Sequence, residues 1–305
     1  MIYTLTLNPA LDYYITFKNF VEGNLNIPLE TYKLPGGKGI NVSKILKNYN
    51  EDSVCLGFLG GFTGQFIKEK LEKDKIKTDF IKVSEDTRIN IKMNNNGLES
   101  EIAGTSPKID EKNLKELLNY ISDNLKNEDI LVLSGSVPGS LPIEIYRDII
   151  EILPEGVKVI LDTRGPAFEK ALKKGVFLIK PNKDEINEFF NSNLETEEEL
   201  IEAGKKLQLL GAKNVLISLG AKGSIFISEK NTYKSGVPAG NLISSNGSGD
   251  SMIGGFIYGL SNGMELEECY KYGIASGSAT AFSKGLATFE KTKSLLNKIR
   301  IEKIQ

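Results

Sequence analysis

No histidine occurs anywhere in the 305 residues. That single absence excludes imidazole acid–base work, Ser/His/Asp triads and His-ligated zinc together. Any proton transfer falls to a carboxylate, a lysine, a tyrosine or a cysteine. Cysteine is scarce as well. Cys55 and Cys269 lie in apolar or helical surroundings, with neither metal-ligand spacing nor a disulfide framework, and read as core thiols in a reducing compartment. An excess of either charge is also missing, because 38 Lys and Arg stand against 40 Asp and Glu. No broad field therefore gathers nucleic acid or an anionic membrane surface, and any anion must be bound locally. No apolar run approaches the length of a membrane span, and the N-terminal MIYTLTLNPALD is a strand pattern without a basic leader or signal-type apolar block. Cytoplasmic placement is the expectation.

What is present is ordinary globular composition, 40% apolar and 26% charged, arranged as alternating strands and helices. Short β-branched runs recur at ILVLSG (130–135), VKVILDT (157–163), VFLIKPN (176–182) and NVLISLG (214–220). Between them lie helical patterns such as LPIEIYRDIIEIL, FEKALKKG and ETEEELIEAGKKLQLLG. That order predicts an α/β fold with a parallel sheet covered by helices on both faces. Ligands of such sheets sit outside the carboxyl ends of the strands, where LSGS, LDTRG, IKPNKDE and SLGAKG fall. Two regions break the alternation, at about 11–35 and 87–104, and NNNG in the second is a hairpin signal. They predict four strands forming a small lid sheet inserted in one domain spanning 1–305. A small sheet with one apolar face is marginal in water, so it is expected to close over substrate or to pack on a partner, a second copy forming a homodimer through the lid.

Four motifs carry chemistry. In SNGSGDSMIGGF the amides of Gly247, Ser248 and Gly249 precede a helix at Asp250, where unpaired donors and the helix dipole favour an anion. The same field keeps Asp250 ionised and able to accept a proton from a hydroxyl; the alternative is that Asp250 only caps the helix. GSGDSM lacks the third glycine of a dinucleotide fingerprint, and GGKGIN has no Ser or Thr after Lys38, so neither is a standard nucleotide loop. In PGGKGINVSKIL, Lys38 among glycines with Asn41 one turn on suits the hydroxyls and phosphate of a sugar phosphate, against the alternative of a tight turn. Asp12 is placed to accept from sugar hydroxyls or to form a turn, and Arg88, the one arginine of the lid, offers a planar fork to a phosphate or stays solvated. In KPNKDE, Asn182 and Glu185 stand one turn apart, either around a magnesium ion through its water shell or as a capping box. SLGAKGS (218–224) is either a phosphate wrap or a hairpin turn.

Taken in order, TLNPALD, PGGKGINVSKIL, GFLGGFTG, TRINIK, LSGSVPGSLP, VILDTRG, IKPNKDE, ISLGAKG, GSGDSM and GSATAFS resemble the PfkB branch of the ribokinase-like sugar kinases, and within it the bacterial 1-phosphofructokinase group, over nearly the whole chain. The resemblance implies a Rossmann-like core with a β lid, ATP and Mg²⁺ as cofactors, Asp250 as catalytic base and Gly247–Gly249 as anion hole. It further implies Lys180 with Ser218, Leu219, Gly220, Ala221, Lys222 and Gly223 around the nucleotide, and Asn182 with Glu185 around magnesium. Asp12, Gly37, Lys38, Asn41, Arg88 and Asn90 would contact a phosphosugar, fructose 1-phosphate by the same analogy. The chain departs from the usual pattern at Ser248, where alanine is customary, at Ala103 and Ser106 on the lid side, and at Arg164, for which no reason is evident. Tagatose 6-phosphate and fructose 6-phosphate are the rival acceptors. A sugar-phosphate sensor without catalysis is the rival of another class.

Overall fold

Along the run ILVLS, Leu131 and Leu133 join one hydrophobic cluster while Ile130 and Val132 join another, so the strand is covered on both faces. The neighbouring KVILD does the same, with Val159 and Leu161 on the first face and Ile160 on the second. Fully burying one such side chain stabilises the fold by about 1.5–3 kcal/mol, which is why these runs become central strands. The computed structural model describes residues 1–304.

The chain begins with β1 (Ile2–Thr6) and passes directly to two lid strands, β2 (Ala10–Phe17) and β3 (Glu30–Gly36). Then come α1 (Lys38–Asn48), β4 (Val54–Gly60), α2 (Gly61–Lys73) and β5 (Lys77–Val83). It returns to the lid for β6 (Ile89–Asn95) and β7 (Leu98–Ile102). A regular alternation follows: α3 (Glu111–Asn124), β8 (Ile130–Ser134), α4 (Ile145–Glu151), β9 (Lys158–Asp162), α5 (Pro166–Leu172), β10 (Val176–Ile179), α6 (Lys183–Phe190), α7 (Glu197–Leu209) and β11 (Ala212–Ser218). The last elements are β12 (Ser224–Ile227), β13 (Thr232–Ser235), α8 (Ser248–Ser261), α9 (Leu266–Ala281), α10 (Phe289–Leu296) and β14 (Glu302–Lys303).

The large sheet has the order β14-β13-β12-β11-β10-β9-β8-β1-β4-β5, and its pairs from β11 to β5 are parallel as expected. β12, β13 and β14 depart from that expectation and pair antiparallel at one edge. For β12 the reason is connection length. Only the turn 219–223 joins β11 to β12, and a parallel return needs a crossover of a dozen or more residues.

The lid has four strands, as expected, in the order β3-β2-β6-β7, and β2 and β6 at its centre are parallel, since the chain runs through the core between them. β6 and β7 meet at Asn95 and Leu98, with Asn96 and Gly97 both at positive φ, the two-residue hairpin that NNNG signals. Among the described residues no helix is long and apolar enough to cross a membrane.

Candidate active site

Thr6, Ser134, Asp162 and Ser218 are the last residues of four strands in the parallel part of the large sheet, so one sheet edge collects their side chains. Between this edge and the lid lies a cleft of about 1740 Å³. Of the residues singled out from sequence, Asp12, Gly37, Lys38, Asn41, Arg88, Asn90, Glu185, Gly247 and Asp250 line it.

Asp250 is the third residue of α8 and is only 8% exposed. It does not cap its helix. Gly247 occupies the cap position with φ 78, and no side chain caps there. Asn41, in the first turn of α1, instead donates Nδ2–H to Asp250 Oδ2 at 2.8 Å. Burial first, and then the nearby charge of Asp162, push the Asp250 carboxyl above its ordinary range; the Asn41 bond and the charges of Lys38 and Lys180 pull the other way. The backbone amides of Gly249 and Asp250 have no acceptor among the described residues and are open to an anion. Ser248 corrects the three-amide expectation: its N–H is taken by the Ser245 carbonyl at 3.2 Å, because the 245–248 turn closes on itself.

Behind Asp250 stands a second carboxylate. Asp162 is 3% exposed and lies between two ammoniums, Lys38 Nζ at 3.2 Å from Oδ2 and Lys180 Nζ at 3.6 Å from Oδ1. Its burial works to raise the carboxyl, but the two lysines prevail and hold it below the usual range. Lys180, itself 7% exposed, lies against Gly249, where an added Cβ would stand 2.9 Å from its Nζ. The same small residue that leaves an amide open thus lets the lysine reach the start of α8. Lys38 keeps its charge, since Asp162, Asp250 and Glu185 outweigh the effect of burial.

The opposite wall comes from the lid. Asp12 and Asn90 are register partners on β2 and β6, and Asn90 donates Nδ2–H to Asp12 Oδ1 at 3.0 Å while accepting from Gly104 N–H. Burial raises the Asp12 carboxyl most, with Lys92 opposing. A Cβ on Gly36 would fall 2.3 Å from the Asp12 carboxyl carbon, so a glycine at the end of β3 is the condition for Asp12 to line the cleft. Gly37, at φ 134, admits the backbone that starts α1 there. Arg88 lines the cleft while donating to the carbonyls of Asn8 (2.9 Å) and Pro9 (3.4 Å), and it forms no ion pair with a carboxylate among the described residues. Lys38 and Arg88 thus share the cleft, but the ion partner of Lys38 is Asp162.

Asn182 and Glu185 form the full capping box of α6: Asn182 Oδ1 accepts from Glu185 N–H at 2.8 Å, and Glu185 Oε2 from Asn182 N–H at 2.9 Å. The structural alternative is therefore realised, yet Glu185 also lines the cleft. Among the described residues no three Asp, Glu, Cys or His side chains gather to hold a metal directly. Only Glu185 of the two lines the cleft, and the Asn182 amide oxygen is held by the Glu185 N–H. Ser218 to Gly223 form the β11–β12 turn with Leu219 N–H on the Gly223 carbonyl, exposed from Gly220 to Lys222 and outside the lining of the cleft.

Residues 5–293 match the pfkB family of carbohydrate kinases. The chain belongs to this family. It is 47% identical to the 1-phosphofructokinase of Borreliella burgdorferi over 305 residues, all of this chain and 99% of that protein. It is 36% identical to the D-tagatose-1-phosphate kinase of Bacillus licheniformis over 99% of both. The solved structure of phosphofructokinase-2 from Escherichia coli in complex with substrates and products is similar with a TM-score of 0.92, at 26% identity, over 97% of this chain and 98% of that one.

In this pfkB kinase two polar residues of the site escaped the sequence reading. Asp162 was visible only as the polar end of an apolar strand, in LDTRG. Asn8, in TLNPALD, donates Nδ2–H to Ser106 and Ser136 and presents its carbonyl to Arg88. That contact gives the kinase a use for Ser106, one of the unusual residues of its lid side. Arg164 lies exposed at the cleft rim without an ion pair or hydrogen bond among the described residues, and nothing in the structure explains it.

Proposed function

We propose that this kinase transfers the γ-phosphoryl group of ATP to the 6-hydroxyl of fructose 1-phosphate, giving fructose 1,6-bisphosphate and ADP. The observation that carries the reading is the buried Asp250 carboxylate, oriented by Asn41 and set beside open amides at the start of α8. The sugar oxygen forms its bond to phosphorus as the bond to the ADP oxygen breaks, and the hydroxyl proton passes to Asp250. A carboxylate is a weak base toward an alcohol, so the proton moves late and positioning with charge neutralisation does most of the work. The Gly249 and Asp250 amides receive the phosphoryl oxygens, with Lys38 and Lys180 as nearby cations. Asp12 and Asn90 accept and donate to sugar hydroxyls, and Arg88 reads the phosphate already present. Asn182 and Glu185 would hold magnesium through water, and Lys180 with Ser218–Gly223 would meet the nucleotide. Magnesium supplies neutralisation of the phosphate oxygens when bound.

The deciding experiment is a coupled ATP-dependent assay across fructose 1-phosphate, fructose 6-phosphate and tagatose 6-phosphate. Fructose 1-phosphate is expected to give the highest kcat/KM. Preference for either of the others overturns the acceptor, and no turnover with any favours a sugar-phosphate sensor.

We also infer that the lid carries a homodimer contact, because Leu98 and Ile102 on β7 and Ile27 and Leu29 before β3 are exposed apolar side chains. Sedimentation is expected to give a dimer that Leu98→Asp weakens; a wild-type monomer at micromolar concentration removes the proposal.

A further inference from the structure

Asp162 occupies an unusual position for a residue with no assigned part in the reaction. It ends β9, while the two lysines it meets come from separate elements, Lys38 from the first position of α1 and Lys180 from the segment between β10 and α6. Asp250 arrives from a third element, α8, and is bonded to Asn41 of α1. Two ammoniums and two carboxylates thus meet around one strand end, and the Glu185 carboxylate acts on Lys38 from the cleft wall. Without Asp162 the same space would hold two lysines against one carboxylate, and an uncompensated buried charge is costly. The pairing also fixes positions, since Lys180 lies against Gly249 and Lys38 begins the turn that carries Asn41.

We propose that Asp162 is a positioning residue for phosphoryl transfer: it serves as the resident counter-ion that holds Lys38 and Lys180 beside the start of α8 until a phosphate replaces it. Before substrate binds, the carboxylate neutralises the pair and keeps both ammoniums at the sheet edge. When the polyphosphate and then the transferring group enter, their oxygens compete with Asp162 for the same two cations. The lysines then meet developing negative charge without having to be gathered from solvent, which is electrostatic preorganisation. Asp162 touches neither the sugar nor the migrating phosphorus in this scheme. It also restrains anion binding in the empty site, because every anion must displace it.

The inference rests on the kinase reading above, and its test includes a measurement independent of turnover. Asp162→Asn keeps the shape and removes the charge. It is expected to bind inorganic phosphate about 5- to 10-fold more tightly than wild type in a calorimetric titration, since the lysines no longer have an internal partner. In the kinase assay kcat is expected to fall about 10- to 100-fold, with the KM for ATP unchanged or lower, because cations that bind anions well are no longer held in place. Unchanged phosphate affinity, or a KM that rises while kcat is kept, overturns the proposal. If wild type shows no kinase activity at all, the activity assignment fails while the phosphate titration still decides the counter-ion role. Should Asp162→Asn prove too unstable to assay, Asp162→Asn/Lys180→Met restores the charge balance. It is expected to recover about half or more of the lost Tm, as coupled neighbours do; a double variant no more stable than the single one sinks the counter-ion role.

Discussion

Asn41 Nδ2 lies 2.8 Å from Asp250 Oδ2, across a sequence separation of 209 residues, and joins the first turn of α1 to the first turn of α8. A hydrogen bond to a charged group contributes about 1.5–3 kcal/mol, enough to set one rotamer of the carboxylate. Oδ2 is occupied by the amide, which leaves Oδ1 for the substrate hydroxyl of the proposed mechanism. The glycine loop and the aspartate motif, at opposite ends of the chain, are therefore two parts of one device.

Asp250→Asn is expected to lower kcat by roughly 100- to 10,000-fold, the range for a positioned general base. Binding of ATP should persist, because the open amides of α8 are backbone groups, and Tm should change little, since the burial cost removed with the charge offsets the lost compensation of Lys38 and Lys180. Turnover near the wild-type value, measured with nucleotide affinity in parallel, would remove Asp250 from the mechanism.

The pH dependence has a definite sign. The proposed mechanism requires ionised Asp250, and burial with Asp162 raises its carboxyl above the ordinary value, so kcat should fall with decreasing pH earlier than an unperturbed aspartate would cause. Asn41 donates to the charged form and opposes that shift. Asn41→Ala should therefore move the acid limb of the kcat profile to higher pH. A limb that stays put or moves to lower pH would show that Asn41 does not act on the base.

Much of the architecture was legible because burial on both faces writes itself into a strand as an unbroken apolar run, as in ILVLS and KVILD. The lid was legible through turn chemistry, since NNNG supplies two consecutive residues suited to positive φ. The antiparallel edge was not, because SIFI and TYKS are as apolar or β-branched as parallel strands and only the shortness of 219–223 distinguishes them. Within the site, Asp250 and Lys38 were marked by their glycines, which are needed for close approach. Asp162 carries no such mark. Its importance arises from two lysines that are distant in sequence, and a pairing of that kind is a property of the fold.

One substitution separates the capping of α6 by Glu185 from its proposed part at magnesium. Its Oε2 accepts from Asn182 N–H in the capping box, and a glutamine oxygen can do the same. Glu185→Gln should therefore leave Tm nearly unchanged while reducing turnover about 10-fold or more, partly restored by excess magnesium, because the charge that organises the metal's water shell is gone. Glu185→Ala should in addition lower stability by about 0.5–2 kcal/mol. Full activity and ordinary magnesium dependence in Glu185→Gln would leave capping as the residue's whole function.

Arg88 decides whether the lid reads a phosphate. Its guanidinium already donates to the carbonyls of Asn8 and Pro9, so it braces the turn between β1 and β2 as well as lining the cleft. Burial works against its charge, and no carboxylate pairs with it among the described residues, which leaves its remaining N–H groups for an anion. Losing a hydrogen bond to a charged partner costs about 1.5–3 kcal/mol, so Arg88→Ala should raise the KM for fructose 1-phosphate roughly 10- to 150-fold. The KM for ATP should scarcely move, since Asn8 and Pro9 lie in the turn between β1 and β2 and the nucleotide is proposed to meet Lys180 and 218–223. Bracing of the turn is a separate contribution, and it should appear as a fall in kcat and in Tm common to every acceptor. Kinetics of Arg88→Ala with fructose 1-phosphate and with fructose separate the two, because only the first carries the phosphate. A loss several times larger on fructose 1-phosphate would identify Arg88 as the phosphate reader. Equal proportional losses on both would leave it a brace for the lid, and the choice of a phosphosugar would then have to rest on other residues of the cleft.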